Sequence, residues 1–177
     1  MLDNLKEDTR RLKVIKTKSF PWYVLESLLF ENGYQAVVLH RIAHWFKSRR
    51  IPLFGPLFAR LSLWLTGVDI APGAVIGPGL MISHGVGIVI GDGVRIGANA
   101  QLLHQVTLGA ASVRRREMPQ IGDDVFIAAG AKLIGDLRVG NNVFIGVNTL
   151  ITENIPDNSK VTAEVPLTIT TQPSSQP

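Results

Sequence analysis

The 177-residue sequence contains no cysteine, which excludes disulfides, thiolate metal sites and a cysteine nucleophile. It also lacks an apolar run at its start. MLDNLKEDTRRLK is charged from its first turn and does not read as a secretory signal, so the cytoplasm is the expected location. The one stretch that invites a membrane reading, Ile51 to Val68 (IPLFGPLFARLSLWLTGV), is interrupted by Pro52, Gly55, Pro56 and Arg60. A spanning helix needs about 20 largely unbroken apolar residues. The stretch therefore reads as a buried helix, without membrane contact. Aromatics make up 7% and are not interleaved with the basic clusters, Lys6, Arg10, Arg11, Lys13, Lys16 and Lys18 at the start and Arg114, Arg115 and Arg116 later. The net charge of +4 thus reads as solvated charge, with no nucleic-acid partner, while an anionic small ligand stays open.

What the sequence does contain is a beat of six. Aliphatic residues recur at Ile121, Ile127, Leu133, Val139, Ile145 and Ile151, and upstream at Ile70, Ile76 and Ile82. After a two-residue slip the beat resumes at Ile90, Ile96, Leu102 and Leu108. Glycine follows many of these residues, as in Ile121-Gly122 and Val139-Gly140. A period of six fits neither a helix of 3.6 residues per turn nor plain strand alternation. It fits short strands joined by regular turns, the signature of a parallel β-helix. One coil cannot bury its own apolar side chains, but stacked coils bury each other's. The slip between Ile82 and Ile90, and the stretch Gly109 to Gln120, break the beat; insertions in solenoids leave the wall as loops, often on the binding face.

Before the repeat, residues 22–48 show helix-like apolar spacing that Gly33 is expected to split, and a further helix is expected over 54–66. The organisation is a helical region at 1–66, a β-helix at 67–166 and a flexible Thr-, Ser-, Gln- and Pro-rich tail at 167–177. The fold class is mainly β with an N-terminal α-helical segment.

His84 follows Ile82 by two residues, as His104 follows Leu102. Their separation of twenty equals three beats of six plus the slip, so a coil of three hexads would stack them about 4.8 Å apart. They form either a paired chemical site or a polar ladder. Catalytic zinc takes three protein ligands, and the wall offers no third histidine, so no metal is expected. His40 and His44 stand four apart on a helix, where a structural role is expected.

GVDIAPGAVIGPGLMISHGVGIVIGDGVRIG at 67–97, HQVTLG at 104–109, PQIGDDVFIAAGAKLIG at 119–135 and GYQAVVLHRIAHW at 33–45 together closely resemble the serine acetyltransferases, over roughly residues 20–165. The resemblance implies a left-handed winding, although general crossover preference favours the other hand. It also implies a homotrimer and acetyl-CoA as co-substrate. It assigns His84 as general base and Asp69 as the carboxylate that orients it. The chemistry agrees, because an imidazole can take the proton of an attacking hydroxyl and return it to the departing thiolate. A carboxylate on the other ring nitrogen fixes the tautomer. The same resemblance places Gly109, Ala110, Ala129, Gly130 and Gly146 along the CoA chain, and it leaves Arg115 and its neighbours as candidates for the CoA phosphates.

Three positions that hold the amino-acid acceptor in the family differ here. Ser83 replaces an aspartate, Met118 replaces a second histidine, and Lys18 aligns with an acidic residue. Ser83 cannot make the charge-assisted bond of a carboxylate to an ammonium group. The substrate-contacting set is then Ser83, His104 and Met118. The expected acceptor is a sugar or other small hydroxyl compound, as in polysaccharide biosynthesis, with serine as the alternative. A non-catalytic hexapeptide scaffold is the reading from another class. The chain ends in Ser-Gln-Pro where enzymes that dock with cysteine synthase end in isoleucine, so no such complex is expected. Glu164-Val165-Pro166-Leu167-Thr168 replaces a Gly-Val-Pro-Ala-Arg pattern that supplies a further CoA contact in relatives.

Overall fold

The computed structural model describes residues 2–15, 22–112, 114 and 117–163. Lys18, Arg115, Arg116, the Glu164–Thr168 segment and the tail lie outside the described residues. Four helices come first, α1 (Leu2–Ile15), α2 (Trp22–Phe30), α3 (Asn32–Ser48) and α4 (Phe54–Thr66). Gly67 ends α4 in the left-handed conformation (φ 72°), and its N–H donates to the Leu63 carbonyl at 3.0 Å. The first coil is then β1 (Asp69–Ile70), β2 (Val75–Ile76) and β3 (Met81–Ser83), and the second β4 (Val89–Ile90), β5 (Arg95–Ile96) and β6 (Gln101–Leu103). The third is β7 (Thr107–Gly109), β8 (Gln120–Ile121) and β9 (Phe126–Ile127), and the fourth β10 (Lys132–Ile134), β11 (Arg138–Val139) and β12 (Phe144–Ile145). β13 (Leu150–Ile151) and β14 (Lys160–Val161) close the stack.

Every strand pairs in parallel with its counterpart one coil away, which makes three faces of a prism. Face one is β1-β4-β7-β10-β13, face two β2-β5-β8-β11 and face three β3-β6-β9-β12-β14, a left-handed β-helix. The residues of the six-beat all point inward and are buried. A second inward column, two residues ahead of each, was not apparent from the beat. On face one it runs Val68, Ile88, Val106, Ala131 and Thr149, all buried. Each fully buried Ile, Leu or Val contributes about 1.5–3 kcal/mol, so the two columns together hold the stack. The connection from β7, which ends at Gly109, to β8, which begins at Gln120, is longer than any other between faces one and two, where the beat is broken.

The helices close the first coil. Asp8 on α1 and Arg41 on α3 form a buried ion pair, Nε to Oδ2 at 2.9 Å and Nη2 to Oδ1 at 3.0 Å. Its remaining capacity is satisfied by the wall. Arg41 donates to the carbonyls of Ile76 and Gly77 at 2.5 and 2.6 Å, and the Leu80 N–H donates to Asp8 at 2.9 Å. Arg11, expected to be merely solvated, donates to Gly79 and Ala100 carbonyls at 2.7 and 3.2 Å. A helix that approaches a solenoid end finds unpaired carbonyls there, and a guanidinium carries enough donors to satisfy several.

Three expectations need correction. Gly33 does not break the helix; the break falls at Glu31, and Gly33 lies inside α3. A Cβ on Gly33 would stand 2.0 Å from the Ile82 carbonyl oxygen, so its smallness lets α3 lie against β3. Nor is α4 a buried helix, because Phe54, Leu57, Trp64 and Leu65 are exposed. Its first-turn Pro56 lacks an N–H that would have no helical partner there in any case. The third correction is the placement of Arg11 just described.

His40 is buried in α3, and neither ring nitrogen has a hydrogen-bond partner among the described residues. Burial, then the charge of Arg41 and the neighbouring His44, lower its pKa from 6.5 to about 3. His44 instead has its Nδ1 2.9 Å from the Pro72 carbonyl. His40 is thus packed inside the cap and His44 is tied to the wall.

Two outcomes are expected. Asp8→Ala strands a buried guanidinium and should destabilise the fold by about 3–5 kcal/mol, while Asp8→Leu with Arg41→Met should cost less than the single change; urea unfolding measures both. For His40 the folded chain binds a proton only near pH 3 and the unfolded chain near 6.5. Its contribution is intact above pH 6.5 and is lost at about 1.4 kcal/mol per pH unit as pH falls towards 3. His40→Leu should flatten that part of the stability–pH curve.

Candidate active site

In coils two to four, the step in residue number from the last inward side chain of face three to the first of face one is four: Leu102 to Val106, Ile127 to Ala131, Ile145 to Thr149. In the first coil the count is six, Ile82 to Ile88. The slip in the beat is therefore resolved at this corner. His84 takes a left-handed conformation there, φ 56°. A few per cent of non-glycine residues do so, histidine among the more tolerant. Gly85 is buried beside it; a Cβ there would stand 2.7 Å from Val68 Cγ2 and 2.8 Å from Ile82 Cγ2.

Asn32, the first residue of α3, ties the corner down. Its Oδ1 accepts from the Gly85 N–H at 3.4 Å, and its Nδ2 donates to the Thr66 carbonyl at 3.2 Å. The exposed His84 borders a cavity of about 350 Å³ between the α2–α3 junction and β3, also lined by Leu12, Phe30, Glu31, Asn32, Gly33, Met81, Ile82 and Ser83. Ser83 is thus beside His84 in the cavity. Glu31 and Asn32 escaped the sequence reading because nothing local marks them. Asn32 meets Gly85 across 53 residues of chain.

Asp69 opens β1 on face one, half-exposed and in register with Val89 of the next coil. No hydrogen bond joins it to His84 among the described residues. His104 lies one coil on at the same corner, since Ser83 pairs with Leu103, and it is exposed. Its carbonyl accepts from the Gly130 N–H at 2.9 Å. Ala129, Gly130 and Gly146 continue along that edge between faces three and one. The chain's own packing accounts for two of them. A Cβ on Gly130 (φ 72°) would stand 2.0 Å from Asn148 Oδ1, and one on Gly146 would stand 3.1 Å from the Val161 carbonyl oxygen.

Gly109 differs. It ends β7, its φ is not left-handed, and a Cβ there would meet nothing within 4 Å. Among the described residues nothing requires it to be small. Ala110 follows and begins the long connection to β8, and Met118 lies near its end. Met118 packs over the corner after β4, with Sδ 3.3 Å from the Cβ position of Gly91. Gly109, Ala110 and Met118 therefore mark the opposite edge of face one from His84, and a single chain does not bring them to His84. Arg114 is exposed, while Arg115 lies outside the described residues. Among the described residues no group of three or more His, Asp or Glu could hold a metal ion.

Two hexapeptide families match this chain, "Bacterial transferase hexapeptide (six repeats)" over residues 118–153 and "Hexapeptide repeat of succinyl-transferase" over 85–113. A serine acetyltransferase of Synechococcus elongatus is 39% identical over 138 residues, 77% of this chain and 57% of that protein. One from Staphylococcus aureus is 36% identical over 162 residues, 91% of this chain and 75% of that protein. A solved serine acetyltransferase in complex with CoA superposes with a TM-score of 0.79 at 28% identity, covering 90% of this chain and 65% of that one. The chain thus spans about three fifths to three quarters of the length of these relatives.

The tie at Asn32 can be tested directly. Asn32→Ala removes the acceptor for Gly85, and the Gly85 amide should exchange with solvent up to about tenfold faster, the equivalent of one hydrogen bond. Asn32→Asp keeps the acceptor and should exchange at nearly the native rate.

Proposed function

The chain belongs to the serine acetyltransferase family, and on that footing we propose that it transfers an acetyl group from acetyl-CoA to the hydroxyl of serine, with His84 as general base. The observation that carries the reading is the placement of His84 at a braced, left-handed corner bordering a small, partly polar cavity. The acceptor oxygen attacks the thioester carbonyl while the His84 imidazole takes its proton. The tetrahedral adduct then expels sulfur, the C–S bond breaks, and the imidazolium protonates the leaving thiolate. An O-acetyl ester and free CoA result, with no acyl-enzyme. Asp69 orients the imidazole; it is not hydrogen-bonded to the ring here, and such bonds are often loose before substrate binds.

The relatives' name favours serine over the sugar expected from Ser83 and Met118. Two features of the cavity agree. Its volume of about 350 Å³ lies at the lower end for ligand sites, which suits an amino acid better than a nucleotide-linked sugar. Glu31 also lines it, an acidic group where Ser83 offers none to the ammonium of serine. No observation favours a non-catalytic scaffold.

The donor site is completed between copies. Gly109, Ala110 and Met118 on one edge of face one would meet the His84–Gly146 edge of a neighbour in a homotrimer. The bare backbone at Gly109 leaves room for the thin pantetheine arm.

Thiol release from acetyl-CoA should be stimulated by serine more than by homoserine or nucleotide sugars. His84→Ala should lower turnover by about 10²-fold or more. Gly109→Ala should raise KM for acetyl-CoA with little effect on stability, because the added Cβ meets nothing within 4 Å among the described residues. Turnover with a sugar and none with serine would reverse the acceptor assignment.

A further inference from the structure

The outer surface of α4 and of the turn before it presents apolar side chains to solvent. Leu53 is 80% exposed, Leu57 58%, Trp64 75% and Leu65 64%. Positions 53, 57, 60 and 64 fall on one stripe of the helix, and the charged member of the stripe is Arg60. Leu53 stands at the turn before α4 with φ 70° and ψ −40°, a positive φ that is uncommon for a bulky side chain. Contiguous apolar surface of this kind marks an interaction site.

The charge around the stripe is of one sign. From Asn32 through Val68 the sequence contains no aspartate or glutamate. Lys47, Arg49, Arg50 and Arg60 are all exposed. Lys47 and Arg50 share a cleft of about 570 Å³ with Ile51, Pro52 and Leu53, and Asp92 from the corner after β4 is the acidic residue on its border. Lys and Arg beside exposed Leu and Trp form the amphipathic pattern of a helix lying in a lipid interface. Thirteen residues rise about 20 Å, and among the described residues no helix is long and apolar enough to cross a membrane. Two copies apposed through this surface would set like charges against each other. Lipid phosphates complement them.

We propose that the α3–α4 surface docks on an anionic phospholipid bilayer, α4 lying flat with Leu53, Leu57 and Trp64 in the interface. This reading is independent of the proposed reaction, and it replaces the expectation of no membrane contact.

The whole chain is sedimented with vesicles of phosphatidylcholine containing about a third phosphatidylglycerol, and with pure phosphatidylcholine. Binding is expected to the anionic vesicles, at least about tenfold above the neutral ones, and to weaken in high salt. Leu53→Gln with Leu57→Gln, and separately Arg49→Gln with Arg50→Gln, should each weaken it by about tenfold or more. Circular dichroism and thiol release in solution check that both variants stay folded. Absence of vesicle binding, or binding that neither variant alters, overturns the proposal. So does a fall in solution mass of the leucine variant without any vesicle binding, since the surface would then join two copies.

Discussion

A coil of this prism has no core of its own. Its inward Ile, Leu and Val lose water only when another coil sits above or below them, so stability accumulates along the axis and fails at an uncovered end. The first coil is where that constraint bites. Its inner columns and its carbonyls at Ile76, Gly77 and Gly79 meet no earlier coil, and α1 and α3 take that place. The buried Asp8–Arg41 pair does so with nearly every donor and acceptor matched, the condition under which a desolvated ion pair is tolerable.

The same junction builds the candidate site. A regular coil turns this corner in a step of four with one left-handed residue, Gln105, Gly130 or Asn148. Two extra residues, with His84 left-handed in addition to Gly87, break that regularity, and α3 makes the break stable by lending Asn32 to Gly85 and lying close to β3 at Gly33. The cap that protects the core is thus also one wall of the cavity beside His84. Damage to the cap would be felt in the chemistry as well as in stability.

The other irregularity, the long connection at 110–119, lies at the far edge of face one. Small residues line both edges, but for different reasons. At Gly130 a Cβ would collide with Asn148 and at Gly146 it would crowd the Val161 carbonyl, whereas at Gly109 no described residue stands within 4 Å of it. Only the latter is evidence for something outside the chain. The helical cap adds a further surface, where the cations of α3 and the apolar stripe of α4 face solvent on the first-coil side.

Periodicity determined a stack of six-residue rungs, while the three-sided, left-handed winding was implied by the family resemblance. Six-residue spacing of single aliphatic side chains admits one way of burying them all, and the residues from Ile70 to Ile151 could be assigned inward without any contact being known. The position of the slip and of the long connection before Gln120 followed from counting along the same repeat, whereas the stacking of His104 on His84 did not: the Gln105 N–H donates to the Val86 carbonyl as the Gly130 N–H donates to that of His104, which sets His104 level with Val86. The helices were legible as helices, but their surroundings were not. Whether Gly33 ends a helix or lets it approach a strand, whether Arg11 is solvated, and whether α4 is buried all depend on partners dozens of residues away. The cavity beside His84 was hidden for the same reason, because Asn32 and Glu31 carry no local signal until α3 is laid across the first coil. Repetition writes itself into adjacent residues; a cap and a cavity exist only where distant segments meet.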